Sequence, residues 1–270
     1  MQREIASFLE AAWEAADRAG AVIRAAWDQP REIDYKGAID LVTPIDCDCE
    51  RAIVATLQAR FPEHSILAEE NTVLAGAPNG YRWVIDPLDG TTNFAHAYPH
   101  VAVSIALEQD GRTIVGLVYD PLRRECFRAA RGFGAFLNGN AISVSKVSEL
   151  DKALLATGFP YDRRDKADCY LAYFKAFMVR TQGIRRNGSA ALDLCYVACG
   201  RVDGYWESKL RPWDVAAGAL IVEEAGGIVS DFCGNRFIAD GSETLASNGA
   251  IHDQMIEVAK AVRELSLTRS

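Results

Sequence analysis

The sequence predicts a mixed α and β protein in one domain of two lobes, α+β over about residues 1–149 and α/β over about 150–270. Three observations carry this. Alanine-rich helical spacing fills the N-terminal segment. Strand-like runs separated by short turns crowd the stretch from Val101 to Ala130. After Leu150, strand-like and helical runs alternate. The 270 residues suffice for one continuous core shared by both lobes. A composition of 49% hydrophobic and 24% charged residues is that of a soluble globular protein. The net charge of −8 argues against nucleic acid as a main partner. No apolar run approaches the ~20 residues a bilayer span needs, and Met1-Gln2-Arg3-Glu4 lacks a signal-peptide pattern, so a cytoplasmic protein with no membrane partner is expected.

Each element follows from local chemistry. Phe8, Ala11, Ala12, Ala15, Ala19, Val22, Ile23 and Ala26 share helical spacing, which predicts one long amphipathic helix from Ile5 to Trp27, ended by Asp28-Gln29-Pro30. Tyr35-Lys36-Gly37 reads as a short strand or hairpin edge. Thr43 is a good N-cap and Pro44 suits the first helical position, so a helix runs from there through Cys49, Ile53, Leu57 and Phe61. Asp46 falls in its first turn, where an acid complements the helix dipole, and that alone accounts for it. Ser65 to Ala68 is a short strand ending in Glu69-Glu70, which in isolation reads as a solvated acidic loop. Strands from Val101 to Leu107, Thr113 to Tyr119 and Glu125 to Ala130 form an antiparallel meander, with a hairpin signal at Asn138-Gly139. In the second lobe, strands are expected at Ala153–Gly158, Gly183–Arg186, Val202–Glu207, Ile228–Ser230 and Leu245–Ser247. Helices are expected at Cys169–Val179, from the N-cap Ser189 to Gly200, from Asp214 to Ala225, and from Ile251 to Leu265.

The chain is organised around Trp83-Val84-Ile85-Asp86-Pro87-Leu88-Asp89-Gly90-Thr91-Thr92-Asn93. The apolar triplet is a buried strand that runs into Asp86, and Pro87, having no N–H, is expected to stop its ladder. Gly90 allows a tight turn, and Thr91-Thr92-Asn93 open a helix whose free N–H groups suit an anion. Carboxylates with neighbouring carbonyl oxygens suit a hard cation such as Mg²⁺. The stretch therefore reads as a corner for a metal and a phosphate. Alone it would sooner be read as a turn in which Asp86 and Asp89 cap backbone amides. Other acids match it: Glu69 at a second strand end, and Asp214 opening an apolar helix, where an unpaired buried charge is costly. The seven cysteines are odd in number, lack zinc-site spacing, and read as small buried thiols of a reducing compartment.

Taken together, Glu69-Glu70, the run from Trp83 to Asn93, and Trp213-Asp214-Val215-Ala216-Ala217-Gly218 with Glu224-Ala225-Gly226-Gly227 behind it resemble the inositol monophosphatase family over nearly the whole chain. The resemblance implies a layered α-β-α-β-α sandwich of the sugar-phosphatase type, a likeness that also makes a homodimer the expected state. It implies that Glu69, Asp86 and the Leu88 carbonyl hold one Mg²⁺, and Asp86, Asp89 and Asp214 a second. It implies a phosphate bound by the N–H groups of Gly90 and Thr91, and a water activated by Asp46 and Thr91 with Glu69. Lys36 matches a basic position near the metals. Gly188, Ser189, Ala190 and Glu207 match the segment that meets the hydroxyls of the substrate's alcohol, alongside Asp89. No residue is placed as a nucleophile for a phospho-enzyme. Two departures are small: Ala68 stands where many members carry Gly, and Ile45 where Thr or Ala is common.

The expected function is Mg²⁺-dependent hydrolysis of a small phosphate monoester, inositol monophosphate first. Fructose 1,6-bisphosphate, a nucleotide phosphate or histidinol phosphate are the alternatives within the same chemistry, and Gly188 to Leu194 resembles the inositol-type members more closely. Some bacterial relatives associate with the transcription apparatus, so a regulatory interaction role is a further alternative. Arg163-Arg164 and Arg185-Arg186 are candidate contacts for it, although read alone they are solvated, paired with acids or part of a dimer interface.

Overall fold

The computed structural model describes residues 2–29, 34–35, 41–70, 72–77, 80–240 and 242–267. Lys36, and with it the basic position expected near the metals, lies outside the described residues, as do Pro78 and Asn79. The elements run α1 (Gln2–Ala26), β1 (Asp34–Tyr35), β2 (Leu41–Val42), α2 (Pro44–Arg60), β3 (Ser65–Ala68), β4 (Val73–Leu74), β5 (Tyr81–Asp89), α3 (Thr91–Ala95), β6 (Ala102–Gln109), β7 (Arg112–Asp120), β8 (Glu125–Ala130), β9 (Ala135–Leu137) and β10 (Asn140–Ala141). They continue with β11 (Leu154–Thr157), α4 (Arg163–Met178), β12 (Gly183–Arg185), α5 (Ala190–Ala198), β13 (Gly204–Ser208), α6 (Pro212–Glu224), β14 (Ile228–Ser230), β15 (Glu243–Ser247) and α7 (His252–Leu267).

An eight-stranded sheet has the order β10-β9-β8-β7-β6-β5-β3-β4, and a five-stranded sheet the order β12-β11-β13-β15-β14. In the first, β6, β7 and β8 form the expected antiparallel meander, which β5 on one side and β9 and β10 on the other extend, while β3 lies parallel to β5. In the second, β12, β11 and β13 are parallel and β15 runs against β13 and β14. Strand alternation separates the faces. Trp83, Ile85, Val103, Ile105, Leu107, Val115 and Leu117 turn toward α1 and α2. Val84, Ala102, Ala106 and Val118 turn the other way, toward α5 and α6, as do Ala156, Tyr205 and Ala246 from the second sheet. Leu155, Trp206 and Leu245 then face Phe177 of α4 and Met255 of α7. The layers are thus α, β, α, β, α.

The middle layer is close-packed because the first sheet is built of small residues beneath it. A Cβ on Gly116 of β7 would lie 2.7 Å from the Ala217 carbonyl oxygen of α6, so the helix backbone rests on the strand there. Three expectations are corrected. Pro87 does not end its strand: β5 continues to Asp89 through an irregularity in the pairing with β6, between Asp86↔Ser104 and Asp89↔Ala102. A bulge tolerates proline because that position need not donate to the ladder. Helix α4 begins at Arg163 rather than Cys169, with a kink at Lys166, and its polar first turns carry no apolar period to announce them. The cysteines are all free, but Cys47 and Cys169 are exposed rather than buried. No helix among the described residues is long and apolar enough to cross a membrane.

Candidate active site

The site begins with strand register. Because β3 and β5 are parallel with Ala68 beside Ile85, the next residue of each strand, Glu69 and Asp86, emerges at the same edge. The Glu69 N–H donates to the Ile85 carbonyl at 3.2 Å, which holds the two ends together. Asp214 arrives from the other layer. It sits in the first turn of α6, and its Oδ2 accepts the Arg211 N–H at 2.6 Å. The Ser104 hydroxyl, on the β6 residue paired with Asp86, donates to the Trp213 carbonyl at 3.0 Å and so docks that turn onto the sheet. Carboxylate oxygens of Glu69, Asp86 and Asp214 consequently lie within 4.8 Å of one another. Among the described residues, no other cluster of three or more His, Cys, Asp or Glu side chains meets that distance.

Such a cluster repels itself. Asp86 and Asp214 are held well above the ordinary carboxylate range, first by burial and then by Glu69 and Asp89, to which Asp86 adds Asp214. Asp89 is pushed up to about 6 by burial, against the hydrogen bonds from Ser189 and Ala191. Among the described residues, no Lys, Arg or His side chain forms an ion pair with Asp86, Asp89 or Asp214. Several converging oxygens, buried and charge-repelled, are the donor set a hard divalent cation requires. The residues present fit such an ion.

Beside the carboxylates, Gly90 caps α3 in the left-handed region at φ 96°. A Cβ there would meet the His100 carbonyl oxygen at 2.9 Å and the Gly188 carbonyl oxygen at 3.3 Å, so glycine is required for the loop to close. The Thr91 hydroxyl lies 2.9 Å from Asp46 Oδ1 and 3.1 Å from the Leu88 carbonyl oxygen. Asp46, 1% exposed, also accepts from the Thr43 N–H at 2.8 Å and the Thr43 hydroxyl at 2.6 Å through Oδ2. Thr43 caps α2 as expected, with Pro44 following it. Asp46 therefore does more than complement the helix dipole.

The third side of the site is the start of α5. Ser189 is its N-cap, and its hydroxyl donates to Asp89 Oδ2 at 2.6 Å, while the Ala191 N–H donates to the same oxygen at 2.8 Å. Ala190, also buried, is the first helical residue between them. Glu207 on β13 accepts from the Tyr205 hydroxyl at 2.7 Å, and burial pushes its carboxyl up to about 7. Asp193 is held far above the ordinary range by burial, with Asn187 Nδ2 donating to it at 2.7 Å.

Most residues expected at the site are thus gathered there. Glu69, Asp86 and Asp214 form one group, Asp46, Thr91 and Leu88 a second, and Asp89 with Ser189 a third. Asp89 is not part of the mutual cluster, since one of its oxygens faces α5. Asn93, Asp193 and Tyr205 were given no role at the site by the sequence. Asn93 Nδ2 reaches the carbonyls of His100 and Asn187 at 2.8 and 2.9 Å and so ties α3 to the loop before α5. Its partners are remote backbone atoms, which leave no sequence trace. Asp193 stood out as an acid inside the apolar run Ala190–Ala198, and Tyr205 shares a strand face with Glu207 two residues on.

Comparison with known proteins follows the same lines. A model of the inositol monophosphatase family matches residues 4–264. The chain is 48% identical over 265 residues to the inositol-1-monophosphatase of Synechocystis sp., covering 96% of this chain and 90% of that one. It is 46% identical over 250 residues to the Nus factor SuhB of Escherichia coli (strain K12), covering 92% and 94%. The structure of the extragenic suppressor protein suhB from Bartonella henselae superposes with a TM-score of 0.91 at 38% identity, covering 94% of this chain and 98% of that one.

Proposed function

The chain belongs to the inositol monophosphatase family, and on that premise we propose that it hydrolyses inositol monophosphate to inositol and phosphate in a Mg²⁺-dependent reaction. It is a phosphoric monoester hydrolase. The observation that carries the metal reading is the convergence of Glu69, Asp86 and Asp214 beside the Thr91–Asp46 pair, while inositol as the alcohol rests on the family likeness. In this reading Glu69, Asp86 and the Leu88 carbonyl would hold one ion, and Asp86, Asp89 and Asp214 a second. When bound, Mg²⁺ lowers the pKa of water, neutralises phosphate charge and stabilises the leaving alkoxide. The protein's own part is orientation and proton handling. By donating to Asp46, the Thr91 hydroxyl keeps its oxygen lone pairs for the attacking water, so that water's proton has a path to a buried carboxylate. The N–H groups of Gly90 and Thr91, at a helix start, bind the phosphate oxygens. Gly188, Ser189, Ala190, Asp89 and Glu207 meet the inositol hydroxyls, and Glu207, with its carboxyl near 7, can accept or donate there. The catalytic unit spans the whole chain, since its carboxylates come from both lobes. The family resemblance supports a homodimer acting in the cytoplasm, and light scattering on the purified protein measures the first of these.

The test is phosphate release from a panel of monoesters, with and without Mg²⁺. Strong Mg²⁺-dependent release from inositol monophosphate is expected, and Asp86→Asn or Asp214→Asn should lower it by about 10²-fold or more with the fold intact. A folded Asp86→Asn variant with normal turnover rejects the metal assignment. A preference for fructose 1,6-bisphosphate, a nucleotide or histidinol phosphate moves the substrate and leaves the chemistry.

A second role is favoured by one observation, the 46% identity to the Nus factor SuhB. Arg164 and Arg185 are exposed and available for contact with the transcription apparatus, whereas Arg186, also exposed, lies against Gly188, where its charge acts on Asp89 and Glu207. Binding of RNA polymerase by Asp86→Asn would establish this role as separate from catalysis, and no binding by the wild type removes it.

A further inference from the structure

We propose that Glu50 is a positioning residue that sets Glu69 against the Thr91–Asp46 pair. The inference rests on the reading that Glu69 holds the divalent cation. Glu50 follows Asp46 by four residues on α2, so the two carboxylates leave one helix face about 6 Å apart along the axis. Asp46 reaches the Thr91 hydroxyl. Glu50 reaches the loop after β3. Its Oε2 accepts the Glu70 N–H at 2.8 Å, and its Oε1 accepts the Thr72 N–H at 3.1 Å and the Thr72 hydroxyl at 2.6 Å.

Glu50 is only 5% exposed, and among the described residues no Lys, Arg or His pairs with it. A buried carboxylate satisfied by neutral donors alone is a costly placement. What it does achieve is geometric. All three donors belong to residues just beyond Glu69, while the Glu69 N–H itself is tied to the Ile85 carbonyl of β5. Glu69 is therefore clamped from both sides, by β5 on one and by Glu50 on the other. One rigid turn of α2 then fixes the distance between the acid that binds the ion and the hydroxyl–carboxylate pair that receives the water's proton. Glu50 holds the backbone beyond Glu69 rather than its carboxylate, and since losing a direct outer partner of a ligand typically costs about 10–100-fold in metal affinity, the lower end of that range applies here.

The experiment is Mg²⁺ titration by calorimetry on the full chain, with steady-state kinetics alongside. Glu50→Gln retains size but presents an NH₂ group where an N–H donates, so the loop loses at least one bond. We expect its Mg²⁺ affinity to fall about tenfold, with the KM for inositol monophosphate at saturating Mg²⁺ within about twofold of wild type. Thr72→Val, which removes only the hydroxyl donor, should shift Mg²⁺ affinity the same way by about threefold, and it tests the proposal even where Glu50→Gln folds poorly. A lower Tm with unchanged Mg²⁺ affinity in both variants would mean a role in stability alone and overturns the proposal. Failure of the underlying metal reading looks different: the wild type, with Glu50 intact, would itself take up no Mg²⁺, and the inference would fall with it.

Discussion

Asp86, Asp89 and Asp214 occupy an interior that favours their neutral forms, and this has a measurable sign. A carboxyl whose pKa is raised on folding stabilises the fold at low pH and loses that contribution as pH rises through the folded value. For Asp89 the window runs from 3.8 to about 6, a contribution on the order of 3 kcal/mol, and Asp86 and Asp214 extend it upward. His64, His100 and His252 are lowered by burial and act the opposite way below their ordinary 6.5. The difference between Mg²⁺ and EDTA isolates the carboxylates, because the histidines are common to both. The rise in Tm given by Mg²⁺ should therefore grow from pH 5 to pH 8, and a constant rise across that range would contradict it. Ser189 offers a second test. Ser189→Ala removes an N-cap and the shortest donor to Asp89, so it should cost about 1 kcal/mol in a denaturant melt and also raise the KM. The acids themselves were legible because each ends an apolar strand or opens an apolar helix. Asn93 and Glu50 were not, since what they hold is backbone from distant parts of the chain.

Among elements, α6 carries the clearest consequence. Its N-terminal turn delivers Asp214, while further along its backbone lies on Gly116 of β7. Gly116→Ala must push the helix away from the strand. The expected cost is about 1–3 kcal/mol in urea, together with a higher Mg²⁺ requirement, because Asp214 moves with the helix. Unchanged stability would mean that the helix shifts freely on the sheet. Element types were legible from period and caps: Thr43-Pro44 and Ser189 start their helices where the sequence placed them. Boundaries were less so. Pro87 signals a strand end by its missing N–H, yet a bulge absorbs it, and a bulge depends on the partner strand, which local sequence does not contain.

At the scale of the whole molecule, the layer order arises from side-chain size. Large residues on β5, β6 and β7 face α1 and α2, and small ones face α6, so the middle helices approach closely enough to be shared by two sheets. The alternation of strands was readable in the sequence. The stacking of the sheets was not, because it depends on α5 and α6 meeting faces that the chain lays down far apart. If Glu69, Asp86 and Asp214 hold the ion as proposed, Mg²⁺ should slow amide exchange at the ends of β3 and β5 and also in the first turn of α6, as hydrogen-exchange mass spectrometry can measure. The sharing of the middle layer also imposes an order in time. During translation Glu69 and Asp86 emerge with the first sheet, while Asp214 is still unmade. A chain made only as far as the first sheet lacks the α6 that covers its small-residue face, and it carries only part of the acidic cluster. On the proposed metal assignment, cation capture waits until Asp214 has been made, and a product truncated before it should be inert rather than a weak phosphatase.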